Sequence, residues 1–393
     1  MFKRSLIGLL AGSTLACGGE GPADASSDSA MQEPEGQVSA DGTFSVQSYG
    51  TFSEPWAMSF LPDGRIVLTE MEGTLRLVDP EGGVPSQVPI TGLPEVDYGG
   101  QGGLGDVVPH PDFASNQILY LSYAEAGDGD TRGAAVARGT LVCEEADACR
   151  LDGVEVIWRQ TPKTTGRGHY GHRIAFSPEG HLFITSGDRQ KMDPAQDNTS
   201  TLGTVVRLND DGSVPADNPF ADSDDPVTRE IWSYGHRNPL GIAFAADGRL
   251  WELEHGPAGG DEVNLVEPGV NYGWPIVSNG EHYDGDPIPD HDTRPDLRAP
   301  AIWWTPVIAP GDLMVYSGSM FSDWQGDLFA AGLLSRGLVH MVVEDQNVRE
   351  VARYDLDRPI RSVQQAADGA IWVLEDERDG NGPGELLRLT PAA

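Results

Sequence analysis

One stretch of the chain concentrates residue types that can do chemistry. Gly235 to Pro275 reads GHRNPLGIAFAADGRLWELEHGPAGGDEVNLVEPGVNYGWP. Arg237 and Asn238 stand just ahead of an apolar strand-like run, the loop Glu254-His255-Gly256-Pro257 follows it, and Asp261-Glu262-Val263-Asn264 comes next. Fixed donors suit an anionic ligand. Free carbonyls and carboxylates suit a hard cation, which takes oxygen ligands. Two further groups extend the kit. One is Gly100-Gln101-Gly102-Gly103-Leu104; the other is Gly168-His169-Tyr170-Gly171-His172-Arg173, followed fifteen residues later by Asp188. Together they offer a histidine base, a carboxylate, arginines, amides, and glycines that let a ligand approach backbone.

A single histidine is more often packed than catalytic, but the glycines around His169 and the downstream Asp188 favour a base there. His172 and His236 are expected to pack. Trp232, Trp251 and Trp372 lie in or beside strands and are expected in the core. Trp303 and Trp304 are also expected there, with stacking on a sugar as the alternative. The run Asp193 to Asn198 lacks the spacing of a calcium loop and reads as solvated. The glycines at 100–103 lack the strand-to-helix setting of a nucleotide loop. No Gly-x-Ser-x-Gly elbow and no His-Glu-x-x-His motif occurs.

These residues need elements to bring them together. Four segments repeat one pattern, with apolar residues, a turn of an acid and Gly, and then a second apolar run. Their turn glycines are Gly64, Gly180, Gly248 and Gly369, separated by 116, 68 and 121 residues. An acid–Gly turn between apolar runs is a hairpin signal. Two of the gaps are near twice about 60, which predicts a degenerate copy inside each. His110–Tyr120 and Met320–Phe329 fit. Six hairpin units without long helical periodicity predict an all-β chain, a six-bladed β-propeller over residues 43–393. An open array of sandwiched sheets is the alternative. In a propeller, loops at one end of the channel converge, so distant polar residues would meet there.

The 393 residues and 39% apolar content allow a large core. The formal net charge of −35 disfavours nucleic acid and anionic membranes as partners. Lys3 and Arg4 precede a short apolar run from Ser5 to Ala16, too short to span a bilayer, so residues 1–17 read as an export signal. Ala16-Cys17 resembles a lipoprotein cleavage site, which would place a lipid on Cys17. Residues 18–42 read as a flexible acidic tether. Cys143 and Cys149 in an exported chain suggest a disulfide across a surface loop.

The three polar segments resemble those of the soluble quinoprotein sugar dehydrogenases, the glucose/sorbosone and aldose sugar dehydrogenase family. The likeness runs from about Gly50 to Leu389. It implies a six-bladed propeller binding pyrroloquinoline quinone (PQQ) with calcium. By the resemblance, His169 is the base that takes the proton of the sugar C1 hydroxyl, and Asp188 orients it. Gln101, Arg237 and Asn238 line the quinone, with Arg173 and Arg361 in the same cofactor-binding set and Arg237 also stabilising developing charge. Gly256 and Pro257 offer carbonyls to calcium, and Glu262 and Tyr272 match positions near further calcium. There are departures. His172 stands where the family has glycine, Leu334 aligns with a lysine that pairs a PQQ carboxylate, and Pro359 aligns with an arginine. Arg336 and Arg358 lie nearby as substitutes. The implied activity is oxidation of an aldose to its lactone, with electrons passing to a respiratory acceptor, in the periplasm or on the outer membrane of a bacterium. The rival readings are a non-catalytic calcium-binding propeller that has lost PQQ and a calcium-dependent lactone hydrolase.

Overall fold

The computed structural model describes residues 37–80, 86–145, 148–377 and 382–392. The export segment, Cys17 and the tether up to residue 36 lie outside them. Gln37–Val38 already pairs with the strand Phe44–Phe52, so strand pairing among the described residues includes positions before 43. Backbone pairing needs no apolar side chains, which is why composition alone set that boundary late.

Every repeat proves to be the inner hairpin of a sheet. The innermost strands are Pro55–Phe60, Leu104–Pro109, Gly171–Phe176, Pro239–Phe244, Pro310–Val315 and Ile360–Gln365. Each contacts the next, and the last returns to the first, so the sheets form a ring. The acid–Gly turns share one geometry. Gly64, Gly180, Gly248 and Gly369 have φ between 86° and 89°, a region open to glycine at no steric cost. Asp63, Asp247 and Asp368 each accept the N–H two residues on, which fixes the turn. In the two degenerate copies a short helix, Phe113–Asn116 or Ser322–Trp324, replaces that turn.

The sheets are antiparallel except at one join. Strand Ala148–Arg159 pairs in parallel with Ser86–Thr91 at Cys149–Ile90 and Arg150–Thr91, fusing the first two sheets into one of eight strands. Cys143 and Cys149 are bridged beside this join, as expected. The ring is closed by the two ends of the described chain, where Phe44–Phe52 pairs with Gly384–Pro391. The core is circumferential. Leu68, Met58 and Leu374, for instance, fill the gap between the last sheet and the first, and Trp251, Leu313 and Leu328 fill a later one.

All the inner strands share one irregularity, a register shift near the start. It falls between Pro55 and Ala57, Leu104 and Val107, Gly171 and Ile174, Pro239 and Gly241, Pro310 and Asp312, and Ile360 and Ser362. A bulge re-aims the side chain at the extra residue. Trp56, His172, Leu240 and Arg361 occupy such positions, and all four line one cavity at the ring's axis.

Candidate active site

The axial cavity is about 170 Å³ and is walled by the three segments that stood out in the sequence. Gln101, His169, Arg237, Asn238 and Arg361 all line it. His169 is held on several sides. Its N–H donates to Gln101 Oε1 at 2.7 Å, and its Nδ1 donates to Asp188 Oδ1 at 2.7 Å. Asp188 is fully buried and also accepts from Trp274 Nε1 at 2.8 Å and the Gln190 N–H at 2.7 Å. Burial alone would lift the Asp188 carboxyl, but these donors, His169 first, hold it below the ordinary aspartate range. Burial depresses the His169 pKa below 6.5 despite Asp188, with Arg237 acting in the same direction. The resting pair is therefore a neutral imidazole beside a carboxylate. With Nδ1 donating, Nε2 keeps its lone pair for a substrate proton.

The backbone here is strained. His169, His172, Arg189, Gln190 and Met192 all have φ between 48° and 61°. Such conformations cost free energy and persist only where surroundings impose them. Arg189 supplies part of that constraint, since its guanidinium bonds the carbonyls of Gly168 and Arg132 and stacks 3.7 Å from the Tyr170 ring centroid.

Arg237 is 5% exposed, and no carboxylate among the described residues forms an ion pair with it. It donates to the His255 carbonyl at 3.1 Å and to Tyr283 Oη at 3.2 Å, while its Nε has no partner. Asn238 Oδ1 is likewise buried and unpartnered. An unmet donor on a buried cation is costly, and Arg237 lines a cavity an anion could fill. Arg361 also lines the cavity, but its Nε and one terminal nitrogen grip Asp376 at 2.8 and 2.6 Å.

Several expectations need correction. Arg173 does not line the cavity. Its guanidinium bonds the carbonyls of Leu240 and Gly311, sits within 3.7 Å of Asp106 and Asp312, and lies 4.0 Å from the Trp56 ring centroid. Those partners belong to four other inner strands, so Arg173 pins the axis. The proposed stand-ins for missing cations are also spent. Arg336 pairs with Asp357, and Arg358 with Glu375 and Glu385. Leu334 is exposed, while its neighbour Leu333 lines the cavity. Trp303 is exposed and only Trp304 is buried. His172 packs as expected, with Nδ1 2.8 Å from Ser122 Oγ, its ring stacked on Trp56, and its pKa pushed down to about 3 by burial.

Gly256, Pro257, Glu262 and Tyr272 come together in a smaller adjoining cavity that shares Arg237 and His255 with the first. The carbonyls of Gly256 and Pro257 accept no hydrogen bond from described residues. Asp261 fixes their loop by accepting the Gly256 N–H and, at its other oxygen, those of Ile308 and Ala309. Beside this loop lie buried Glu252, Glu254 and Glu262. Asn264 Nδ2 donates to all three, at 3.0, 3.4 and 3.1 Å. His236 Nδ1 approaches Glu254 at 3.4 Å and Glu252 at 3.7 Å, so this packed histidine faces acids. Burial pushes Glu252 and Glu262 well above the ordinary glutamate range, and the Glu254 charge adds to it. Glu252 Oε1 has no partner. A divalent cation would answer this excess of carboxylate.

Sequence reasoning missed Trp56 and Tyr283 as walls, and gave no separate role to His255, to Asp261, or to Glu254, whose Oε2 accepts the Arg237 and Asn238 N–H groups at the start of the strand. Nothing in Trp56 signals a site, because its role depends on a bulge that only strand pairing reveals. His255 and Glu254 could have been found, as they lie within the loop already singled out.

With this geometry in view, comparison with known proteins is decisive. The Glucose / Sorbosone dehydrogenase family profile matches residues 52–388. The chain belongs to that family. It is similar to aldose sugar dehydrogenase YliI of Escherichia coli (strain K12), 38% identical over 342 residues that cover 86% of this chain and 90% of that protein. The crystal structure of the soluble E. coli aldose sugar dehydrogenase in its apo form matches with a TM-score of 0.81 at 37% identity, over 89% of this chain and all of that one. A PQQ-bound aldose sugar dehydrogenase from Streptomyces coelicolor matches with a TM-score of 0.71 at 25% identity, over 88% and 98% of the two chains. Family members of this kind are propeller-like sugar oxidoreductases.

Proposed function

We propose that this chain is a six-bladed propeller that oxidises an aldose at C1 to the lactone, using PQQ and calcium. The blade count rests on the ring of six inner strands, two of which bound the fused eight-stranded sheet while the other four each border a sheet of their own. The observation that carries the activity is the axial cavity, where a desolvated His169–Asp188 pair faces the uncompensated guanidinium of Arg237.

PQQ, when bound, supplies the two-electron acceptor for the hydride leaving the anomeric carbon. Arg237, Asn238, Gln101 and Arg361 are the residues that would hold its polar edge, and the Gly256 and Pro257 carbonyls would hold calcium beside it. His169 Nε2 removes the proton of the C1 hydroxyl as the hydride departs. Asp188 keeps the imidazole in the required tautomer and stabilises its cationic form. Arg237 stabilises negative charge that develops in the cavity, where low polarisability strengthens the interaction. Glu262 and Tyr272, with the carboxylates beside them, form the second candidate cation position. An N-terminal lipid on Cys17 and a periplasmic or outer-membrane location, with a respiratory electron acceptor, complete the reading.

A second reading is favoured by one observation. Leu334 and Pro359 leave the cavity without two cations, and Arg336 and Arg358 are occupied by acids. A ring that binds calcium but not PQQ would show this. Titrating PQQ into calcium-loaded protein, followed by dye-linked oxidation of a panel of aldoses, separates the two. Turnover with lactone formation supports the enzyme. Calcium-dependent thermal stabilisation with no PQQ effect and no turnover supports the binding ring.

A further inference from the structure

A cavity larger than the axial one lies elsewhere in the described residues. It is an open groove of about 870 Å³ against the edge strand Ile302–Trp304. Trp303 lines it and is 53% exposed, whereas neighbouring Trp304 is buried with its Nε1 bonded to Glu350 at 2.6 Å. An aromatic ring left open in a concave surface is free to pack against a ligand, as a core residue is not. Around it stand Asn279, Asp290 and Asp292, whose side chains accept or donate no hydrogen bond among the described residues. His291 closes the wall. It is 5% exposed, its Nε2 is 3.1 Å from the Tyr272 carbonyl, and its Nδ1 has no partner. The same residue lines the small cavity beside Gly256 and Pro257, so it is a wall shared by the two.

These groups specify a ligand chemistry. An aromatic face packs against the apolar C–H face of a pyranose. Planar carboxylates and an amide match neighbouring hydroxyls. The acids repel an anionic ligand. The volume exceeds what one ring needs and lies in the range of sites for larger ligands. The groove also belongs to the same loop as the axial cavity. The segment from Ser278 carries Tyr283 to the Arg237 guanidinium and returns to the groove at Asp290, pinned where the Ser278 N–H meets the Pro289 carbonyl at 3.0 Å.

We propose that this groove is an outer saccharide site that takes a neutral oligosaccharide of two or more rings, with Trp303 as its platform. The proposal extends the sugar-oxidation reading toward oligosaccharide substrates, but the groove binds its ligand without the cofactor. The test is calorimetric titration of maltose, maltoheptaose and cellohexaose into the His169→Ala protein, with tryptophan fluorescence in parallel. Binding that tightens with chain length and quenches fluorescence is expected. Trp303→Ala should weaken it at least tenfold, Trp303→Phe less, and Asp290→Asn with Asp292→Asn about threefold to tenfold. In the PQQ-reconstituted protein, Trp303→Ala should raise KM for maltoheptaose and leave glucose oxidation unchanged. No binding by the parent protein, affinity indifferent to Trp303→Ala, or quenching by calcium in place of glycans overturns the proposal. Glycan binding lost in Trp303→Ala, in a protein that oxidises no sugar, upholds the groove and rejects the catalytic reading instead.

Discussion

At the scale of single residues, the proposed chemistry depends on keeping one imidazole neutral and one guanidinium free of a carboxylate partner. His169 sits in a backbone conformation that costs free energy, and Gln101, Asp188 and the Arg189-bound loop hold it there. Replacing His169 by Ala should lower kcat by about 10²–10⁴-fold, the range for losing a general base. Cofactor and calcium binding should be nearly intact, because Arg237 and the carbonyl loop are separate from it. Because the His169 pKa lies below 6.5, the acid limb of kcat/KM should fall at a pH lower than that of a free histidine. A pH–rate profile of the reconstituted protein checks this, and a limb at or above 6.5 would count against the assignment. His172 should contribute nothing to that profile, since it stays neutral down to about pH 3.

At the scale of elements, the bulge repeated on each inner strand matters most. On four of the six strands it places a residue in the axial cavity, and the identity of that residue shapes the cavity. His172 is bulky for such a place, and Gly105 makes room for it. A Cβ on Gly105 would lie 2.0 Å from His172 Cε1 and 2.7 Å from Ser122 Oγ. Gly105→Ala should therefore destabilise the fold by about 1–3 kcal/mol, the cost of overpacking. His172→Ala should recover part of that loss in the double variant, and a cycle of thermal melts measures the coupling. The cluster of Glu252, Glu254 and Glu262 makes a second prediction at this scale. Calcium should raise the melting temperature, EDTA should lower it, and Glu252→Gln should shrink the difference. A melt indifferent to calcium would remove the cation from this cluster.

At the scale of the molecule, stability depends on closing a ring. The strand Phe44–Phe52 completes the last sheet, and Phe44 and Phe52 are buried at 0% and 2% exposure. A chain beginning at residue 54 would lose both, at about 1.5–3 kcal/mol each. It would also leave Gly384–Pro391 as an open edge. A large fall in melting temperature, or no cooperative transition by circular dichroism, is expected. An unchanged melt would mean that the ring holds without its closing strand.

The sequence alone determined much of this. The acid–Gly turns are local chemistry, in which glycine is required by a positive φ and aspartate by a bond two residues on. Their spacing therefore exposed the hairpins directly. His169, Asp188, Gln101, Arg237 and Asn238 were legible because they sit in short, glycine-rich, unusual segments. Tertiary structure decided which of the arginines still have charge to offer. Arg173, Arg336 and Arg358 read as cofactor partners until the fold placed carbonyls and carboxylates beside them, whereas Arg237 meets one carbonyl and no carboxylate among the described residues. Trp303 and Trp304 are adjacent and identical in type, yet strand pairing sent one inward and the other into a groove. Burial, pairing and neutralisation depend on residues far away in the chain, and only the closed ring brings those residues within range.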